Sequence, residues 1–394
     1  MRYWTIFIFL LIGFLLGSNT IYAQDKMNAS GIVKASRPTI VLHGLIQYDF
    51  EFLKTKTTPN QLEDYSLKGQ EFRRIRLLAL GSIRKNIEYK LHFEFAGGQL
   101  SYKDVYIKFK QLPIVGGNFT LGAFPEPTGL EMATTGKNIS FLERSMLTST
   151  QNDRWNSGFL YDNFDLFHGK IGLELSYGFN GNNSTAFKDN NISQGHHIVT
   201  RLSSPIYNKN HHLVHLGIHL EFRKRSVIAE DYTLNIRPEN HMGYKIPIVF
   251  NDLKDQNDIG FEAAGVFGSF SIQAEYEKAI YHTIEQSIAI NSYYGFISYF
   301  ITGESRAYKK GAFTKISPKR SFGALELVSR YSVFDYSKTS SDAFGNKVNN
   351  FTAGLNWYLN DNMRFMYNYV LTDFNKEGDN NPLTANTFRA QIDF

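Results

Sequence analysis

From Phe388 to Phe394 apolar side chains occupy positions 388, 390, 392 and 394, with Arg389, Gln391 and Asp393 between them. Successive side chains of a strand point to opposite faces, so this terminal run has one oily face and one charged face. The pattern recurs along the chain. Leu42, Gly44, Ile46, Tyr48, Phe50 and Phe52 oppose His43, Gln47, Asp49 and Glu51. Ile87, Tyr89, Leu91 and Phe93 oppose Glu88, Lys90, His92 and Glu94. Val214, Leu216, Ile218 and Leu220 oppose His215, His219 and Glu221, and Phe270, Ile272, Ala274 and Tyr276 oppose Gln273, Glu275 and Glu277. The runs are about ten residues long, whereas strands of soluble sandwiches are nearer five or six. Sixteen strands are predicted, beginning near residues 40, 71, 87, 102, 118, 154, 169, 197, 213, 258, 270, 292, 323, 349, 363 and 387.

Ten tilted residues are what a strand needs to cross the hydrocarbon of a membrane. Inside lipid every backbone N–H and C=O needs a protein partner, so such a sheet must close on itself. The expected fold is therefore all-β: a transmembrane antiparallel β-barrel of about 16 strands. Strand plus connection at roughly 23 residues fits that count. Arg84-Lys85-Asn86, Gly268-Ser269 and Asn360-Asp361-Asn362 read as tight turns, and 53–70, 125–153, 181–196 and 224–257 as long outer loops. The stretch 302–322 resists this scheme: by parity it should be a short turn, and it is long.

The start of the chain fits export. Residues 1–23 read as a signal peptide, with Arg2, an apolar run from Ile6 to Leu16, and Ala23 before the cut. Residues 24–38 read as an N-terminal lead and 39–394 as the barrel. Removing the first 23 of 394 residues leaves 371 and takes the formal charge from +5 to +4. That mild excess does not point to nucleic acid. With no cysteine, thiol chemistry and disulfides are excluded. The 33 Phe and 23 Tyr suit a barrel wall.

Several blocks are similar to the phosphate-selective porin O/P family of Gram-negative outer membranes. They are Phe72-Arg73-Arg74-Ile75-Arg76-Leu77, then Lys103-Asp104-Val105-Tyr106-Ile107, then Leu121-Gly122-Ala123-Phe124-Pro125-Glu126-Pro127. Ile301-Thr302-Gly303-Glu304-Ser305-Arg306 and Leu355-Asn356-Trp357-Tyr358-Leu359-Asn360 follow in the same order. The resemblance implies a trimeric barrel in the outer membrane, bounded by lipid and lipopolysaccharide. It implies passage of small hydrophilic or anionic solutes, phosphate or polyphosphate among them, and no cofactor. It also implies a constriction loop over 125–153 that folds into the pore, with Glu126, Glu131, Lys137, Glu143 and Arg144 on it. Pro125 departs from the pattern, since a lysine is common there.

Cations that share the inward face are candidates for the pore: Arg74, Arg76, Lys90, Lys108, Arg201 and Arg330. Taken with the other inward cations (Lys110, Arg223, Arg364 and Arg389), they face an about equal number of carboxylates, and a lattice of ion pairs that stiffens the wall would show the same composition. Arg74 and Arg76, two apart, form the best pair for a cationic stripe. Leu78 and Leu80 then also fall on the inward face, which predicts a covering loop or a bulge in that strand. Other chemistry is weakly supported. His215 and His219 on one strand face lie roughly 13 Å apart, too far for one metal. Gly97-Gly98 and Gly116-Gly117 suit turns, and no nucleophile motif supports an enzyme. An adhesive barrel that binds through 181–196 and 224–257 is the alternative to a pore.

Overall fold

The computed structural model describes residues 38–55, 65–98, 100–149, 155–179, 195–225, 232–243, 245–336, 346–374 and 382–394. The signal peptide, and the lead apart from Pro38, lie outside them, as does most of loop 181–196.

The strands are β1 (Thr39–Thr55), β2 (Tyr65–Arg84), β3 (Ile87–Glu94), β4 (Ser101–Lys110), β5 (Asn118–Pro125), β6 (Trp155–Asp165) and β7 (Ile171–Phe179). Then come β8 (His196–Lys209), β9 (His212–Lys224), β10 (Tyr232–Ile236), β11 (Ile246–Phe250), β12 (Asp255–Phe267), β13 (Phe270–His282) and β14 (Ser287–Phe300). The last are β15 (Tyr308–Lys309), β16 (Ala312–Phe313), β17 (Ala324–Asp335), β18 (Lys347–Tyr358), β19 (Met363–Phe374) and β20 (Leu383–Asp393). Sixteen of them close into one barrel; β10–β11 and β15–β16 are separate two-stranded hairpins. The seam is antiparallel pairing of β1 with β20, from Leu45 opposite Asp393 to Lys54 opposite Thr384. With an even number of alternating strands, both ends of the wall lie at one mouth.

Alternation decides what each face meets. On β13, Phe270, Ile272 and Tyr276 are exposed on the outside, while Ser271, Gln273, Glu275 and Glu277 are buried inside. Tight turns return the chain where they are expected. Gly268, at φ +63°, supplies the left-handed residue between β12 and β13.

The buried inner faces show that the lumen is largely filled. Three segments turn into it: 126–149 and 232–253 from the mouth opposite the termini, and 301–323 from the terminal mouth. The 224–257 segment, expected as an outer loop, thus puts its hairpin inside. Leu234, Ile236, Ile246, Ile248 and Phe250 of β10–β11 pack with Tyr281, Ile290, Phe334 and Val348 of the wall into an apolar cluster. An adhesive surface there is correspondingly reduced. The 301–323 connection also enters the lumen. Its Phe313 N–H donates to Thr134 Oγ1 of the 126–149 segment at 3.3 Å, so segments from opposite mouths meet.

Ion pairs fix these segments to the wall. Arg389 on β20 holds Asp49 on β1 through two bonds of 2.7 and 2.6 Å, and also reaches Glu143 of the inward loop at 2.9 Å. Arg201 binds Glu262 and Glu174, each at 2.7 Å, and donates to the Gly311 carbonyl at 2.8 Å. Removing one member of such a buried set leaves the other charge unpaired, at a cost of about 3–5 kcal/mol. Arg389→Ala should therefore lower the temperature at which the barrel unfolds in detergent, as read on heat-modifiability gels. Adding Asp49→Asn should restore part of the loss, because it removes the stranded charge.

Candidate functional site

The geometry of the site begins with a bulge. Gln47 pairs with Arg74 and Tyr48 with Phe72, leaving Arg73 as an extra residue on β2. The phase of the strand shifts there, so Arg73, Arg74 and Arg76 all turn inward while Phe72 and Leu77 stay outside. Arg73 is the residue that alternation alone assigns to the wrong face. A cation facing lipid at mid-depth costs about 2–4 kcal/mol, and that cost was the available signal for the bulge. Leu78 remains on the lumen face, in line with the expectation from the sequence.

Between β1–β4 and the inward loop lies a cavity of about 500 Å³. Arg73, Arg74, Arg76, Lys90 and Lys103 line its wall side, and Lys137 and Arg144 line it from the loop. Against these seven cations stand three carboxylates, Glu71, Glu94 and Asp104. The local balance is therefore cationic, although the lumen as a whole is balanced.

The loop's own carboxylates explain the asymmetry, because each is directed to a wall cation. Glu126 meets Arg223 at 2.5 Å and His197 at 2.9 Å, and it accepts a bond from Asn156. Glu131 lies 3.2 Å from Arg330 and accepts from Ser145 Oγ at 2.7 Å. Glu143 binds Arg73 at 2.8 Å as well as Arg389. Burial opposes the charge on Glu143, but Arg73, Arg74 and Arg389 outweigh it and hold its carboxyl well below the usual carboxylate range. Burial likewise opposes Glu126, yet Arg223 and His197 bring it down to about 2. The wall answers with a carboxylate of its own: Glu275 on β13 accepts the backbone N–H groups of Leu130 and Glu131 at 3.0 and 2.7 Å.

Two cations in the cavity have only neutral acceptors. Arg74 donates to Gln47 Oε1 at 2.5 Å, and its guanidinium lies beside Gly136 of the loop. Arg144 donates to the carbonyls of Glu131 and Thr134 at 3.2 and 2.7 Å. Among the described residues neither has a carboxylate within 4 Å. Burial pulls the Arg144 guanidinium below its usual value, with the charges of Arg76 and Arg73 adding to the effect against Glu131 and Glu143. A cation crowded in this way gains from an arriving anion.

The other expected pore cations are matched. Arg76 pairs with Glu94 at 2.5 Å, Lys90 with Asp104, and Lys108 with Asp162 at 2.5 Å. Arg201 and Arg330 are fully buried in ion pairs; Arg330 is held by Glu239 at 2.6 Å and Glu131, under the Phe141 ring. Lys137 pairs with Asp393 at 2.7 Å while still lining the cavity. Glu239 and His241, from the inward 232–253 segment, were not legible as site residues. Glu239 also accepts from Thr352 at 2.6 Å, and the His241 and Met242 N–H groups donate to Glu51 at 2.9 and 2.8 Å.

A family model described as phosphate-selective porin O and P matches residues 40–394. Porin O of Pseudomonas aeruginosa is 24% identical over 349 residues, 79% of this chain and 78% of that one. An uncharacterised protein of Caulobacter vibrioides is 26% identical over 339 residues, 80% of this chain but only 65% of its own length. Among solved structures, the anion-selective porin from Comamonas acidovorans superposes with a TM-score of 0.58 at 13% identity, covering 91% of this chain and all of that one.

The Glu126 anchor has a defined pH dependence. Its carboxyl value is lower in the folded chain than its ordinary 4.5, so its stabilisation is complete above about 4.5 and is lost as pH falls through about 2. Hydrogen exchange in 126–149 should stay protected from pH 7 to pH 4. In Glu126→Gln the protection should already be reduced at pH 7.

Proposed function

Because the chain belongs to the phosphate-selective porin O and P family, we propose that this outer-membrane porin passes small solutes through the cavity between β1–β4 and the inward loop, with a preference for anions. It is a channel and not an enzyme; solutes move down their gradients. The observation that carries the reading is the local excess of seven cations over three carboxylates. In a narrow, low-dielectric passage fixed charges act over the few ångströms that matter. Arg74 and Arg144 act on the solute most directly, because no carboxylate neutralises them at contact. Arg76 and Lys90 add to the field from ion pairs at the cavity wall. Lys108, Arg201 and Arg330 serve the stiffness of the barrel.

The assembly that fits is a homotrimer. β3 and β5 are only eight residues long, short of the nine to eleven that a lipid-facing strand needs. A neighbouring protomer beside this low stretch of wall would shield it from the bilayer core. Cross-linking in detergent should yield a species of three chains.

In a planar bilayer under a potassium chloride gradient, the reversal potential should have the sign of chloride permeation. Arg74→Ala combined with Arg144→Ala should lower the chloride-to-potassium permeability ratio roughly fivefold, about 1 kcal/mol for two charges acting across the passage. A cation-selective wild type would overturn the reading.

A further inference from the structure

We propose that the preferred solutes of this passage are small organic anions, with one charged group and a compact apolar body, ahead of inorganic phosphate. This rests on the anion-channel reading above and concerns the same cavity.

Of the cations lining the cavity, Arg73, Arg76, Lys90 and Lys137 are already committed to Glu143, Glu94, Asp104 and Asp393. Arg74 and Arg144 stand on neutral acceptors, and Lys103 adds a further charge to the lining. A guanidinium matches one carboxylate or one phosphoryl end, which it binds through parallel N–H···O contacts. Inorganic phosphate is hydrated on every side. Stripping that water without donors all round costs more than two one-sided contacts return.

Apolar side chains complete the lining on both sides: Leu45 and Leu78 on β1 and β2, next to Arg76, and Pro125, Met132 and Ala133 at the start of the inward loop. The loop turns its carboxylates Glu126, Glu131 and Glu143 to wall cations, so its cavity face has no negative charge from them to repel an anion. A bare inorganic ion gains nothing from this apolar lining. An organic anion gains the burial of its apolar body, about 25 cal/mol for each Å² removed from water. At about 500 Å³ the cavity lies in the range that holds organic ligands, roughly 300–1,000 Å³.

The test uses the full-length protein in planar bilayers carrying a chloride current, with sodium benzoate or sodium phosphate added at pH 7. Benzoate should halve the current at a concentration about tenfold below that of phosphate, the difference made by burying roughly two methylene equivalents. Met132→Gln, which keeps the length of the side chain and makes it polar, should narrow the gap to about twofold. Should that variant fail to insert, Leu78→Asn tests the same face from the wall. Phosphate blocking at an equal or lower concentration, in channels whose reversal potential is anionic, overturns this inference and leaves the anion channel standing. A cationic reversal potential overturns the anion channel itself. A benzoate preference undiminished in both variants overturns the assignment to this apolar face.

Discussion

The constraint that governs this molecule is the lack of water to hydrogen-bond an open sheet edge within a bilayer. Sixteen strands must therefore come round to meet, and β20 pairs with β1 over ten residues. Once the cylinder is shut, alternation sends every second residue to lipid and its neighbours inward. The outward set is apolar without exception along stretches such as Phe270, Ile272, Ala274 and Tyr276. Outside the apolar patch that packs on β10–β11, the inward set is largely polar, and where inward segments cover it, each charge needs a partner. Arg201, Arg330 and Arg389, all under 2–3% exposed, show how closely that requirement is met.

Selectivity then follows from how the pairs are apportioned, not from the total charge. Counting inward residues gives a balanced lumen. Pairing sends the loop's acids to Arg223, Arg330, Arg73 and Arg389, and leaves Arg74 and Arg144 on neutral acceptors. The apolar cluster around β10–β11 occupies much of the remaining lumen. A barrel of this strand number is intrinsically wide, and here the width is filled unevenly, so the passage is confined to the β1–β4 side.

The wall was readable because a two-residue period is imposed by lipid on one side and polar contacts on the other. β3, β5, β13 and β19 begin at residues 87, 118, 270 and 363, where the alternation places them. β14 and β20 begin earlier than the pattern suggests, at Ser287 and Leu383. Their first turns of chain pair beyond the oily band, where the outer face has no reason to be apolar. The inward course of 232–253 and 301–323 was not readable at all. Such segments answer to particular partners, Glu239 to Arg330 or Gly311 to Arg201, and no period marks those. Arg73 sits between the two cases: its inward turn breaks the period, and only the energetic objection to an arginine in lipid reveals it.

The contacts of β20 also tie the inward loop to the closure of the sheet. Arg389, Gln391 and Asp393 of β20 hold Glu143, the Lys137 carbonyl and the Lys137 ammonium. Arg364 of the adjacent β19 holds the Ile139 carbonyl at 2.8 Å. Both strands lie at the seam of the sheet, β20 against β1 and β19 behind it. A half-built cylinder accordingly lacks the moorings for its own narrowing, and the aperture acquires its final bore only after the two ends of the sheet have joined.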